Sequence, residues 1–376
     1  MPNPRIAVIG SGVAGASTAF ALAAGGAEVV VVDRVLRGQA TAAGAGIIQP
    51  WSSSADGPTY DLYAAGAAYY PTLIERLGAV GVSDIGYRVA GSLVVHADPA
   101  ELDAAEQRLR HRTAGVAVAG TVDRLDEREA RALFPPLDPA LAAVYVSGGA
   151  RVDGRRLREG LLAGAGRLGA VVVDAPARLV SAAAGSWAVH TPDGEIGEIG
   201  ADAVVVAAGA WANSVLDPVG YQLDVEPQRG QIAHLLLAGS DTADWPSVLP
   251  MASHYLVSFD AGRIVVGATR ETGSGFDPRI TAGGVLEVLS NALSIAPGLA
   301  SASLIETRVG LRPLAAGHGP FLGAVPGHPD LFVNAGFGPA GLTMAPVAGE
   351  ALAQLVLTGA SDLDLSPFTP PEPAGS

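Results

Sequence analysis

The residues with the clearest chemical use lie close to the N-terminus. Gly10-Ser11-Gly12-Val13-Ala14-Gly15 holds three glycines at the spacing of a phosphate-binding turn, and Asp33 follows downstream. Gly10 suits a tight turn, Gly12 lets the backbone approach a pyrophosphate, and Gly15 lets a helix pack closely on a strand. A helix starting at Val13 and Ala14 offers free N–H groups and a partial positive charge to a phosphate. Asp33 is placed to accept hydrogen bonds from ribose hydroxyls. The chemistry implied is dinucleotide binding; the competing reading is a glycine-rich turn in an Ala/Gly-rich chain. Other chemistries are closed. The chain has no Cys, which removes disulfides, thiolate metal sites and a cysteinyl cofactor link. It has no Lys, which removes Schiff bases and lysine nucleophiles.

Those residues need particular elements beneath them. Ile6-Ala7-Val8-Ile9 is an apolar run typical of a buried parallel strand. Residues 13–24 are rich in Ala and Leu without Pro, which predicts a helix, and Gly25-Gly26 offers its stop. Residues 28–32 predict a second strand ending in Asp33. The glycine triad therefore sits in the context a dinucleotide turn requires. The stretch from Arg34 to Ile48 contains Gln39-Ala40-Thr41-Ala42-Ala43-Gly44-Ala45-Gly46-Ile47-Ile48. Such a small-residue loop can pass close to a bulky planar cofactor, where a typical NAD enzyme would enter an ordinary crossover helix. The expectation is FAD, held non-covalently.

Composition sets the wider limits. With 376 residues, two interleaved domains fit better than one. A net charge of −14 argues against nucleic acid and against an anionic membrane surface. An anionic ligand then needs a local positive site. The first residues lack the regions of a signal peptide, and no apolar run reaches a membrane-spanning length. A soluble, cytoplasmic protein is expected, with homo-oligomerisation open. Residues 366–376, rich in Pro, Ser and Thr, read as a disordered tail.

The chain resembles the D-amino-acid oxidase family, which includes glycine oxidase and sarcosine oxidase. Eight pieces carry the resemblance in order. They are the turn from Gly10 to Asp33, the loop from Thr41 to Ile48, Arg151-Val152-Asp153, Pro176-Ala177, Val204 to Trp211, Pro227 to Gln231, Gly310-Leu311-Arg312-Pro313, and Gly336 to Pro346. The resemblance implies an α/β fold: a Rossmann-type FAD-binding domain with an interleaved α+β substrate domain on a mixed, largely antiparallel sheet. The FAD domain would comprise residues 1–85, 145–220 and 305–365, and the substrate domain 86–144 and 221–304. Residues 91–96 and 263–268 are β-rich runs, and 99–112 and 126–133 are amphipathic helices suited to the sheet's outer face.

The same resemblance distributes roles. Cofactor contacts would come from Gly10, Gly12, Val13, Ala14, Gly15, Asp33 and Arg34. Thr41, Ala42, Gly44, Gly46 and Ile47 would follow in the loop, and Ala177, Ala208, Gly209 and Trp211 in later segments. Gly338 would border the cofactor, and Gly341, Leu342 and Thr343 would direct backbone N–H groups at the flavin pyrimidine, where charge develops on reduction. Arg312 would hold a substrate carboxylate and also border the flavin; its planar guanidinium can form two parallel charge-assisted bonds. The competing reading is a surface arginine paired with an acid. Tyr255 would close the substrate site, and Ile48, Gln49 and Trp51 would line the pocket over the flavin. Strand alternation turns His254 away from Tyr255, so His254 reads as structural. Two departures matter. Pro339 stands where some relatives have a second arginine. Val265 stands where sarcosine-type relatives have a lysine that helps oxygen react, which favours the glycine-oxidase-like branch.

The implied reaction is hydride transfer from the substrate α-carbon to flavin N5, giving an imine that water hydrolyses. The substrate would be a D-amino acid, glycine, or a secondary or N-methyl amino acid, with oxygen or a quinone as final acceptor. Two alternatives remain open: an FAD-dependent 2-hydroxy-acid dehydrogenase, which needs a base, and a tRNA-modifying amine-oxidising module, which the acidic charge disfavours.

Overall fold

The apolar run near the N-terminus folds as a strand, Arg5–Ile9, with every residue after Arg5 buried. The protein is described by a computed structural model covering residues 3–181, 187–191, 197–315, 317 and 319–372. Arg5–Ile9 is the centre of a six-stranded sheet, flanked in parallel by Glu28–Asp33 and Ala203–Val206. Val171–Asp174 extends one side, and His328–Ala335 with Phe321–Val325 the other. Only the outermost pair is antiparallel. Alternate residues serve two cores: Ile6 and Val8 face one, Ala7 and Ile9 the other. Burial on both faces explains why these strands read as continuous apolar runs.

The helix Val13–Ala24 follows the first strand and ends at Gly25, as its composition predicts. It packs in one core with Gly57–Ala79, Gly154–Arg167 and the C-terminal helix Gly341–Thr358. A Cβ at Gly349 would lie 2.8 Å from both Ser17 Cβ and Thr18 N, so a glycine is needed where the first and last helices meet. The stretch Gly338–Thr358 is, by length and composition, apolar enough to cross a bilayer. More than half of that stretch is buried inside the protein. Its apolarity has a local reason: the helix packs against two others, so apolar side chains wrap most of its circumference.

The second sheet has eight strands in the order Ser303–Ala315, Val225–Leu236, Arg263–Gly267, Tyr255–Ser258, Ser247–Pro250, Ser92–His96, Ala142–Val146, Val122–Leu125. It is mixed and largely antiparallel; the one parallel pair is Ser247–Pro250 with Ser92–His96. Two expected domain boundaries fall inside its strands, because Ala142–Val146 and Ser303–Ala315 both belong to it. The long strand Ser303–Ala315 pairs with Val225–Leu236 over nearly its whole length, a non-local pairing no sequence pattern announces. Glu127–Leu133 lies on this sheet's outer face, where Ala130 packs with Leu93, Val95 and Ala143, and Asp126 closes a capping box with Glu129. Pro99–Thr113, expected on the same face, packs on the opposite one, with Leu102 and Leu109 against Val94, Val144 and Val146. A small three-stranded sheet of Ile47–Ile48, Ala150–Arg151 and Arg88–Val89, and the helix Gly154–Arg167 that follows it, are tied to the eight-stranded sheet by Arg151–Asp260 and Asp153–Arg263, each at 3.0 Å, with both guanidinium groups over the Phe259 ring.

The expected disordered tail needs correction. Ser366–Phe368 forms a 3-10 turn, Leu365 and Phe368 are buried, and the Tyr221 hydroxyl donates to the Pro371 carbonyl at 2.6 Å. Burying two large apolar side chains outweighs the polar composition. Residues 373–376 lie outside the described residues.

Candidate active site

A cavity of about 1360 Å³ runs between the two sheets, beyond the roughly 300–1,000 Å³ of a site for one small molecule. At one end lie Gly10, Gly12, Val13, Ala14, Asp33 and Arg34. Gly10 has φ +106°, and a Cβ there would lie 2.5 Å from the Ala207 carbonyl oxygen, so no other residue fits the turn. Gly15 does not line the cavity; a Cβ on it would overlap the Gly10 carbonyl, which is the close helix–strand packing its position predicts. Asp33 Oδ2 accepts from Ser11 Oγ at 2.5 Å and Ser11 N at 3.1 Å. Arg158, on Gly154–Arg167, donates from Nε to the Ser11 carbonyl at 2.6 Å and braces this arrangement. No local pattern flags Arg158, because its partner is supplied by the fold.

Along the middle of the cavity run Thr41, Gly44, Gly46 and Ile47, with Ala177, Ala208, Gly209 and Trp211 contributing from later segments. Thr41 Oγ1 accepts from Val13 N at 2.9 Å, tying the loop to the helix start. Ala42 does not line the cavity; its carbonyl turns to Arg308 Nη1 at 3.2 Å. Gly338, Gly341, Leu342 and Thr343 line the far wall, where Gly341–Thr358 begins. Pro346 within this helix has no N–H for the Leu342 carbonyl four residues back. The hydroxyl of the buried Tyr70 supplies that hydrogen bond at 2.5 Å, and its ring stacks on Tyr87. The cavity-facing first turn is thereby fixed from behind.

Arg312 and Tyr255 meet at the substrate end. Arg312 Nη1 donates to the Thr269 carbonyl at 3.0 Å and to Gln228 Oε1 at 3.3 Å, and the guanidinium lies against Gly230. Tyr255 lies beside Arg312, close enough to act on it electrostatically. Burial holds Arg312 below its ordinary pKa, opposed by Tyr255 and reinforced by the Arg270 charge. Burial raises Tyr255 against the pull of both arginines. Gln49 lines the cavity, and its buried Nε2 has no protein partner among the described residues. Ile48 and Trp51 are corrections: neither lines the cavity, and each is about 1% exposed. Ile47 takes the cavity side of its short strand, so Ile48 must face the core. The turn Pro50–Ser52 tucks Trp51 into that core against Pro99–Thr113.

His254 is a further correction. The strand starts at Tyr255, so alternation does not govern His254, which lines the cavity with burial lowering its pKa. Within the strand alternation holds: Tyr255 and Val257 share one cluster and Leu256 packs in another. Three arginines of the cavity lining escaped the sequence reading, Arg37, Arg108 and Arg270. Arg270 had a readable signal, since it follows Ala268 by two residues beyond the run 263–268. Arg229 lies behind the wall and anchors residues 271–277 through Glu271 at 2.7 Å and Asp277 at 2.8 Å.

A glycine turn no side chain could enter, two helix N-termini at one cavity, and a buried unpartnered amide in its lining all fit FAD. The family model described as FAD dependent oxidoreductase matches residues 5–355. The chain belongs to this DAO family. It is an FAD-dependent oxidoreductase. Glycine oxidase of Pseudomonas putida is 31% identical over 98% of both chains. Among solved structures, iminodiacetate oxidase from Chelativorans sp. BNC1 is 47% identical with a TM-score of 0.93, covering 97% of this chain and 99% of the other. Glycine oxidase from Geobacillus kaustophilus is 28% identical with a TM-score of 0.85, covering 98% and 99%.

Proposed function

We propose that this enzyme oxidises a small amino acid at the carbon between its nitrogen and its carboxylate. The observation that carries the reading is the Arg312–Tyr255 pair, a guanidinium held in fixed orientation at the end of the FAD cavity. Glycine and iminodiacetate, after which the relatives are named, share the unit N–CH2–COO⁻. A fork-shaped cation suits that carboxylate, and clamping it positions the adjacent C–H bond. Bound FAD supplies the two-electron acceptor that takes hydride from this carbon. The C–N bond becomes C=N, and water hydrolyses it to an oxo acid and an amine.

The residues also help set the protonation state of the substrate. Arg312 and Arg270 face the same cavity, and two nearby cations lower the pKa of a bound amine. The neutral amine needed for hydride loss is thus favoured without an obligatory enzyme base. The placement of His254 supports a second reading, a 2-hydroxy-acid dehydrogenase, in which His254 takes the hydroxyl proton.

The test is anaerobic bleaching of the flavin with glycine, sarcosine, iminodiacetate, D-alanine and D-lactate, followed by admission of air. Bleaching by amino acids with an N–CH–COO⁻ unit supports the proposal, and bleaching by D-lactate alone overturns it. Rapid recolouring in air identifies oxygen as acceptor; slow recolouring points to a quinone.

A further inference from the structure

We infer that Arg270 is a second carboxylate site, and that the substrate is a secondary amine bearing two carboxylates, of the N-(carboxymethyl) amino acid class. The inference deepens the proposed amino-acid oxidation and rests on it.

The first argument is geometric. Residues 269–271 continue the strand Arg263–Gly267: Thr269 N donates to the Gln231 carbonyl, and Arg229 and Glu271 exchange backbone hydrogen bonds. Side chains therefore alternate. Ala268 and Arg270 line the cavity, while Thr269 and Glu271 point to the other face, where Thr269 Oγ1 donates to Glu271 Oε1 at 2.7 Å. Glu271 is held there by Arg229 and Gln231, both at 2.7 Å. The carboxylate next to Arg270 in sequence is thus directed away and already paired. Arg270 is exposed to the cavity, with no hydrogen-bonded or ion-paired partner among the described residues.

The second argument is charge balance. Among the described lining residues, Arg34, Arg37, Arg108, Arg270 and Arg312 face a single carboxylate, Asp33. Asp33 belongs to the dinucleotide end, where Ser11 engages it. At the substrate end Arg270 lies close enough to act electrostatically on both Tyr255 and Arg312. A single carboxylate would satisfy Arg312 and leave Arg270 unneutralised. A dicarboxylate supplies one anion per arginine, with the amine between them. Oxidation of one N–CH2–COO⁻ arm sends hydride to FAD. Hydrolysis of the resulting C=N bond then gives glyoxylate and an amine that keeps the second carboxylate.

The test uses the FAD-loaded enzyme and two ligands with no oxidisable C–N bond: diglycolate, with two carboxylates, and methoxyacetate, with one. Dissociation constants are measured by calorimetry for wild type, Arg270→Met and Arg108→Met. Wild type should bind diglycolate roughly 10- to 100-fold more tightly, the effect of one added charge-assisted contact. Arg270→Met should remove that preference and leave methoxyacetate binding unchanged, and Arg270→Lys should restore part of it. An equal loss for both ligands in Arg270→Met would show both arginines on one carboxylate and overturn the inference. So would an unchanged preference, or its loss in Arg108→Met instead. Flavin bleaching separates this from the parent reading. Glycine bleaching as fast as iminodiacetate, with Arg270→Met indifferent, sinks the second site alone. No bleaching by any amino acid, with the diglycolate preference intact, sinks the oxidation reading alone.

Discussion

Substituting Gly230 tests Arg312 without touching it. Gly230 lies in Val225–Leu236 beneath the Arg312 guanidinium, and a Cβ there would lie 2.5 Å from Cζ and Nη1 of that side chain. Ordinary contact begins at 3.4 Å, so the guanidinium must retreat by about 1 Å. The obstructed atoms are the far end of a flexible side chain, and Gly230 does not occupy the left-handed region, so Gly230→Ala should fold and retain FAD. The cost falls on position: a shift of about 1 Å in a clamped substrate can lower the rate on the order of 100-fold. The assay is stopped-flow flavin reduction without oxygen, comparing an amino acid with the amine formed by its decarboxylation. The amino acid should slow by about two orders of magnitude and the amine by much less. Equal rates for wild type and Gly230→Ala at saturating amino acid, with normal flavin content, would refute the carboxylate clamp.

Three further outcomes follow from the geometry. Tyr70→Phe strands the Leu342 carbonyl above Pro346 and should destabilise the protein by about 1–3 kcal/mol in urea unfolding. Pro346→Ala in the same background should recover part of that loss by restoring an N–H, and no recovery would mean Tyr70 acts through packing alone. His234 is buried with both ring nitrogens unpartnered, and burial lowers it from 6.5 to about 4. The unfolded chain takes up the proton first, so His234's contribution is fully present above about pH 6.5 and drains as pH falls toward 4. Stability lost between pH 7 and 4.5 should therefore be smaller in His234→Leu, by about 2 kcal/mol; identical losses would show that His234 titrates normally. Asp33→Ala should weaken FAD binding by roughly 10- to 150-fold, the loss of charged hydrogen bonds to ribose. An unchanged dissociation constant measured by flavin fluorescence would show that Asp33 does not reach the ribose.

Legibility in the sequence followed the range of the interactions. The turn from Gly10 to Asp33 was readable because its strand, helix and strand are contiguous and each glycine answers a local steric need. Arg312 and Tyr255 were singled out through short motifs, although Val225–Leu236 and Arg263–Gly267 separate their strands in the sheet. Trp51 was misplaced because a 3-10 turn decides its direction, and no hydrophobic period covers three residues. His254 was misassigned by one residue of strand boundary. Arg158, Arg229 and Tyr70 were invisible because their partners Ser11, Asp277 and Leu342 are brought to them by folding. The charge count was read correctly for the whole chain but concealed a cavity of the opposite sign.

The order of strands across the first sheet has a consequence for synthesis on the ribosome. Arg5–Ile9 is completed by Glu28–Asp33 on one edge almost at once, but its other edge waits for Ala203–Val206. At about 5–20 residues per second that wait lasts roughly 10–35 s. For that interval the nascent chain carries an apolar strand with one row of unpaired backbone groups, a template for wrong partners. The helix Gly341–Thr358, whose first turn lines the cavity, emerges later still. A polypeptide released before that helix holds a dinucleotide turn but not the far wall that closes over it. Cofactor capture therefore belongs to the end of synthesis, and slow translation between the two halves of the sheet should leave the chain dependent on chaperones.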